Sequence, residues 1–278
     1  MTIVKVGVIN YLNTFPVYYG IEKGIVKLPR NTVLVKGVPT VLNKLLEDED
    51  IDISVISSFE YAKNHRNLVI LPKLSIGARK KVMSVLFLSM DPIEKLEGKR
   101  VYLTNASLTS KILLLIYFRN LGIKPKIEEF EYSRGIPTDN HHGVLVIGDD
   151  ALTLKYHNNY RYVYDLAEIW YGLTGLPFVF ALWCVNRSSL SKKSGDIDTV
   201  IDMIYRSKDI GKKNYRRIAM EKSKELGIPY SDCMKYLRTL HFDLGRDYIR
   251  GLVRFFDIAY REKFLDEPPE LSFYSENH

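Results

Sequence analysis

The chain has 278 residues, 46% of them hydrophobic and 26% charged, with 40 basic residues against 33 acidic ones and a formal net charge of +7. That balance excludes a disordered chain, and the length allows one large domain or two of about 100–150 residues. No apolar run approaches the ~20 residues that cross a bilayer; the longest, 112–118 and 176–185, suit buried elements.

Short apolar strands alternate with helical stretches, which predicts an α/β fold. Residues 3–9 read as the first strand. Pro16 opens a helix that runs to Lys23 and stops at Gly24. Residues 31–38 form a second strand, and Pro39-Thr40 start a helix over 41–47 with Val41, Leu42, Leu45 and Leu46 on one side. A third strand, 51–56, leads through Ser57-Ser58 into a helix over 59–64. Strands are predicted at 68–71 and 82–89, completing a β-α-β-α-β-α-β signature of a parallel sheet. A second block follows: strand 100–104, helix 107–121 closed by Gly122, strands 126–132 and 143–147, helix 151–156 after Asp149-Asp150, and strands 160–165 and 178–186. Beyond Ser188 the pattern is helical over 189–206, 212–226, 231–239 and 244–264, before an irregular tail at Pro268-Pro269.

The long strands 82–89 and 178–186 bracket the second block, and each can pass from one domain to another. The expectation is an outer domain of 1–86 with 183–278, an inserted domain of 87–182, and a ligand cleft between them. A single extended doubly wound sheet is the open alternative.

The chain lacks Gly-x-Gly-x-x-Gly, the phosphate loop, Gly-x-Ser-x-Gly and Cys-x-x-Cys. Its six histidines show no metal-binding spacing. No metal and no organic cofactor is expected. His141-His142 precede a strand and suit either a loop role or the site. Cys184 and Cys233 are too few for a disulfide framework. With a strand beginning almost at the first residue in place of a leader pattern, a cytoplasmic protein is expected. The basic excess is local: residues 205–224 hold eight basic and two acidic residues. No nucleic-acid motif surrounds them, so a solvated helical face is expected, with no nucleic-acid or membrane partner.

Small polar residues recur where strands end and helices begin: Asn10 and Asn13; Ser57 and Ser58; Asn105, Ser107, Thr109 and Ser110; Asp149 and Asp150. Each alone suits a helix cap. Together they suit a crevice at the carboxyl ends of parallel strands, where free backbone N–H groups favour anions. Such a site would hold a small carboxylate by amides and hydroxyls. Arg79, Lys80 and Lys81 could assist, or form an exposed turn.

Four stretches resemble the chorismate dehydratase family of the futalosine route to menaquinone. They are Val6-Gly7-Val8-Ile9-Asn10-Tyr11-Leu12-Asn13-Thr14-Phe15-Pro16; Asp52-Ile53-Ser54-Val55-Ile56-Ser57-Ser58-Phe59-Glu60-Tyr61-Ala62; Lys81-Val82-Met83-Ser84-Val85; and Ile147-Gly148-Asp149-Asp150-Ala151-Leu152 with Trp170, Thr174-Gly175-Leu176-Pro177-Phe178-Val179-Phe180-Ala181 and Trp183. Ser57-Ser58 stand where Pro-Ser is frequent in the family. The resemblance implies a two-domain type II periplasmic-binding-protein-like fold, a cytoplasmic enzyme without cofactor, and dehydration of chorismate to 3-[(1-carboxyvinyl)oxy]benzoate. It assigns Asn13 and Ser84 to the catalytic site. Asn10, Ser57, Ser58, Thr109, Ser110 and Asp149 are the expected substrate-binding set. No side chain stands out as the base; the substrate's own enolpyruvyl carboxylate is consistent with the family. Two other readings stay open: a small-carboxylate binding protein of the same fold, and the related 1,4-dihydroxy-6-naphthoate synthase.

Overall fold

The computed structural model describes residues 2–131, 135–154 and 159–275. Among these residues two five-stranded sheets, each with its own helices, take the place of a single extended sheet. The first contains β1 (Val4–Val8), β2 (Thr32–Lys36), β3 (Ile53–Ser57), β4 (Leu68–Ala78) and β10 (Phe178–Asn186) in the order β2-β1-β3-β10-β4. β1 runs parallel to β2 and β3, with α1 (Phe15–Glu22) and α2 (Pro39–Glu47) in the connections β1-β2 and β2-β3 that parallel pairing needs. β10 is antiparallel to β3, pairing Ala181 with Ser57 and Val185 with Ile53. The second sheet orders β5 (Val85–Ser89), β6 (Arg100–Thr104), β7 (Lys126–Phe130), β8 (Gly143–Ile147) and β9 (Tyr162–Asp165) as β7-β6-β8-β5-β9. β6 is parallel to β7 and β8, whereas β5 is antiparallel to both β8 and β9.

The chain forms two compact units, one of residues 1–76, 181–244 and 269–278, the other of 77–180 with 245–268. The expected boundaries differ in two places. The first sheet's β4 runs on to Ala78 where a strand ending at Leu71 was expected, and residues 79–84 form a turn where 82–89 was read as strand throughout. Pro72 hides the continuation, because proline is barred from a central strand; β4 is an edge strand, where a missing N–H costs no ladder bond. Its neighbour on the outer side is the tail: Ile70 donates to the Ser272 carbonyl at 2.8 Å and Tyr274 to the Ile70 carbonyl at 2.8 Å.

The second difference is α10 (Arg246–Arg261), expected with the first domain and found in the second unit. Its Phe255 ring meets Trp170 edge-on at 6.0 Å and Phe178 at 5.0 Å. The helix comes so close to the 176–177 turn that a Cβ on Gly251 would lie 2.0 Å from the Pro177 oxygen. The other helices that follow β10, namely α7 (Arg187–Lys213, kinked at Lys193), α8 (Tyr215–Leu226) and α9 (Tyr230–Thr239), belong to the first unit. α7 lies against α1: a Cβ on Gly211 would stand 1.9 Å from the Pro16 oxygen. Beneath them Trp183 donates to the Tyr18 hydroxyl at 2.9 Å, both rings fully buried.

α6 (Leu166–Thr174) fills a stretch for which no helix was expected. Two further sequence expectations, the end of strand 126–132 and the end of helix 151–156, reach residues 132, 155 and 156, which lie outside the described residues.

Candidate functional site

The candidate residues gather at one end of each sheet. In the first unit β1 and β3 are parallel, with Val6 opposite Ile53 and Gly7 opposite Ser54, so Asn10 and Ser57 leave the sheet at the same end. Asn13 lies in the turn that joins β1 to α1, over residues 11–14. Thr14 ties that turn down: its hydroxyl donates to the Ile9 carbonyl at 2.6 Å and to the Tyr11 carbonyl at 2.9 Å. The Asn13 Oδ1 is buried and has no hydrogen-bond partner among the described residues. A buried acceptor left in that state costs about 1–3 kcal/mol, so native proteins keep few of them without a reason. Asn10 is exposed.

Ser57 has a capping role. Its hydroxyl accepts from the Glu60 amide at 3.3 Å at the start of α3 (Ser58–Asn64). Ser58 follows it, fully buried.

In the second unit β6 and β8 are parallel, and β5 enters the same end antiparallel, with Val85 opposite Ile147. The carboxyl ends of β6 and β8 and the start of β5 therefore bring Thr109, Ser110, Asp149 and Ser84 to one edge of this sheet. The Gly148 amide donates to the Ser84 carbonyl at 2.8 Å, which fixes Ser84 beside the first turn of α5 (Gly148–Leu154). Ser84 is 1% exposed. Asp149 is half-buried. Thr109 and Ser110 are buried in the first turn of α4 (Leu108–Asn120). That helix is capped by Ser107, whose hydroxyl accepts from the Ser110 amide at 3.3 Å and shares a 2.9 Å hydrogen bond with the Ser110 hydroxyl. Capping thus falls to Ser57 and Ser107. Ser58, Thr109 and Ser110 sit one to three positions inside their helices.

Sequence reasoning missed Asp165. It caps α6, accepting from the Ala167 amide at 3.0 Å. It also accepts from the amides of Val82, at 3.1 and 3.0 Å, and Met83, at 2.8 Å. The carboxyl is 7% exposed. Burial raises its pKa above the usual carboxylate value, against the opposing pull of the Met83, Val82, Ala167 and Glu168 amides. The signal was present as Asp165-x-x-Glu168 before an apolar run, a capping-box spacing, with Gly175 in the left-handed conformation at the helix end.

Other candidates have partners of their own. Arg79 pairs with Asp247 at 2.9 Å and Lys81 with Glu168 at 3.2 Å, while Lys80 lies over the Tyr171 ring. His141 and His142 precede β8, at the opposite end of the sheet from Asp149; His141 meets Tyr160 at 2.6 Å and His142 meets Asp91 at 2.8 Å. In the basic segment, Lys208 and Lys212 both pair with Asp243, and Lys222 with Glu225. The Trp170 stretch builds the core: its indole donates to the Pro177 carbonyl at 3.2 Å, and Phe178 and Phe180 stack edge-on at 4.7 Å. Among the described residues, no group of three or more His, Cys, Asp or Glu side chains is placed to hold a metal ion, and no helix is long and apolar enough to cross a membrane.

Solved structures share this architecture. A protein of Archaeoglobus fulgidus superposes with a TM-score of 0.76 at 15% identity, covering 94% of this chain and 98% of its own. The alkanesulfonate-binding protein of Xanthomonas axonopodis gives 0.72 at 10% identity, covering 97% and 96%. A Candida albicans protein described as having the generic periplasmic-binding-protein fold gives 0.63 at 14% identity over 100% of each chain. The two-domain periplasmic-binding-protein-like α/β fold is therefore present, as the sequence resemblance implied. Two curated relatives are named chorismate dehydratase. That of Thermus thermophilus is 27% identical over 264 residues, 90% of this chain and 92% of its own. That of Campylobacter jejuni is 33% identical over 193 residues, 67% and 70%. A family model described as menaquinone biosynthesis matches residues 4–261, and the chain belongs to that family.

Proposed function

We propose that this protein is a chorismate dehydratase, a cytoplasmic hydro-lyase that converts chorismate to 3-[(1-carboxyvinyl)oxy]benzoate in menaquinone biosynthesis. The observation that carries the reading is similarity to the Thermus enzyme along 90% of the chain. The chemistry agrees. Chorismate loses its ring hydroxyl and the neighbouring ring hydrogen as water, and the ring becomes aromatic, so the step runs downhill without a redox group. The protein must bind two carboxylates, assist the departing hydroxyl and hold the side chain away from rearrangement.

In this reading Asn13 and Ser84 hydrogen-bond the substrate at the reacting ring. The Asn13 Oδ1, buried without a partner among the described residues, is suited to accept from the ring hydroxyl as the substrate docks, and the Nδ2 to donate to that oxygen as it departs. The hydroxyls of Ser57, Ser58, Thr109 and Ser110 and the helix-start amides beside them hold carboxylates. Asn10 contributes an exposed amide, and Asp149, an acceptor, suits a hydroxyl better than a carboxylate. The enolpyruvyl carboxylate of the substrate takes the ring proton. The test is incubation of purified protein with chorismate alone. Formation of the aromatic ether supports the proposal; tight binding without turnover favours a binding protein, and turnover only of a cyclic futalosine derivative favours the naphthoate synthase.

A further inference from the structure

The turn that carries Ser84 is strained. Met83 has φ +63°, in the left-handed region, where a side chain with a Cβ costs roughly 1–2 kcal/mol. Such conformations persist only where the surroundings fix them. Here the fixing group is identifiable. The Asp165 carboxylate stands under the turn and takes the consecutive amides of Val82 and Met83, with Met83 held at 2.8 Å. One residue further on, the Ser84 carbonyl is held by the Gly148 amide, and Gly148 is itself left-handed at φ +64°. Ser84 therefore follows a residue whose backbone is set by one buried carboxylate. Its own carbonyl is pinned on the other side.

We propose that Asp165 is a positioning residue for the dehydration: it holds the Val82-Met83 turn in its left-handed shape and so fixes the Ser84 hydroxyl, without touching substrate. The inference rests on the functional reading in which Ser84 meets chorismate. Both oxygens are needed. One serves the Ala167 and Val82 amides, the other the Val82 and Met83 amides. An asparagine keeps the size and the α6 cap through its single oxygen. It then turns an NH2 group toward the Met83 N–H, donor against donor.

The experiment compares kcat and KM for the parent, Asp165→Asn, Ser84→Ala, the Asp165→Asn/Ser84→Ala double variant, and Asp165→Asn combined with Met83→Gly, all well below their melting temperatures. Displacing a reacting contact by about an ångström costs up to about 100-fold in rate, so Asp165→Asn should lower kcat by about 10- to 100-fold. Adding Asp165→Asn to Ser84→Ala should cost almost nothing further, because the group it positions is gone. Met83→Gly should restore most of the lost rate, since glycine adopts the left-handed shape without help. Amide exchange at Met83 should quicken in Asp165→Asn and serves as a readout independent of turnover. An effect of Asp165→Asn that multiplies with that of Ser84→Ala, or no rescue by Met83→Gly, would show a general structural role and overturn the proposal. So would an Asp165→Asn rate within threefold of the parent. A parent protein that does not turn over chorismate sinks the functional reading itself, whatever Asp165 does.

Discussion

Replacing Asn13 by alanine separates catalysis from folding. Its Oδ1 is buried without a hydrogen-bond partner among the described residues, so removing it breaks no hydrogen bond to them, and a buried acceptor left unpaired costs about 1–3 kcal/mol. Alanine removes it. The variant should melt at the same temperature as the parent or higher, with each kcal/mol worth about 2–4 °C in a chain of this size. The turn should survive, because its ties come from the Thr14 hydroxyl to the Ile9 and Tyr11 carbonyls. Turnover should fall. A preorganised donor aimed at the departing oxygen, here the Asn13 Nδ2, contributes about 2.7–4 kcal/mol in the transition state, equivalent to about 10²–10³ in kcat. The assay is thermal denaturation and steady-state chorismate turnover on the same preparation. A variant that melts several degrees lower and turns over within a few-fold of the parent would make Asn13 a structural turn residue with no part in catalysis.

Ser110→Ala and Thr109→Val should weaken chorismate binding by about 10- to 100-fold, the value of one hydrogen bond to a charged group; lower melting temperatures with unchanged affinity would mean that they serve only the α4 start. Burial pushes the Asp243 carboxyl up, but hydrogen bonds from Lys208 and Lys212 outweigh it and hold its pKa below the usual value. A lowered carboxyl stabilises the fold above the unfolded pKa of ~3.9 and loses that contribution as pH falls through the folded value. Asp243→Asn should therefore melt below the parent near neutral pH, and the gap should close as the pH drops below about 4; a gap constant with pH contradicts this. Gly211→Ala should destabilise by about 1–3 kcal/mol or more, since its Cβ would meet the Pro16 backbone oxygen at 1.9 Å; a melting temperature equal to the parent's contradicts so close a helix contact.

Much of the architecture was legible because each unit obeys local rules. Strand-end Asn, Ser and Asp residues marked the helix starts, and alternation of short strands with helices marked two α/β blocks. What stayed hidden depended on partners distant in sequence. Pro72 argued against a strand, and only the edge position of β4 makes it harmless. The helix α10 looked like its neighbours in the tail, yet its Phe255 packs on Trp170 and Phe178. Asp165 looked like the end of a strand, and no local pattern tells that its second oxygen reaches back 82 residues to the Met83 amide. At the candidate site the residue types were readable, but their division between capping and ligand duty was not. Ser57 and Ser107 turn out to cap, while the unpartnered Oδ1 of Asn13 is visible only once its surroundings are packed.

Dehydration is read by following the fate of chorismate with the purified protein alone, by proton NMR and mass spectrometry. The ring signals of chorismate should give way to those of a benzoate with substituents in meta relation, with the enolpyruvyl ether retained and one water lost per molecule. Asn13→Ala should slow this conversion by about 10²–10³. Chorismate that is bound but recovered unchanged, or that loses its enolpyruvyl group in place of its hydroxyl, would contradict a dehydration.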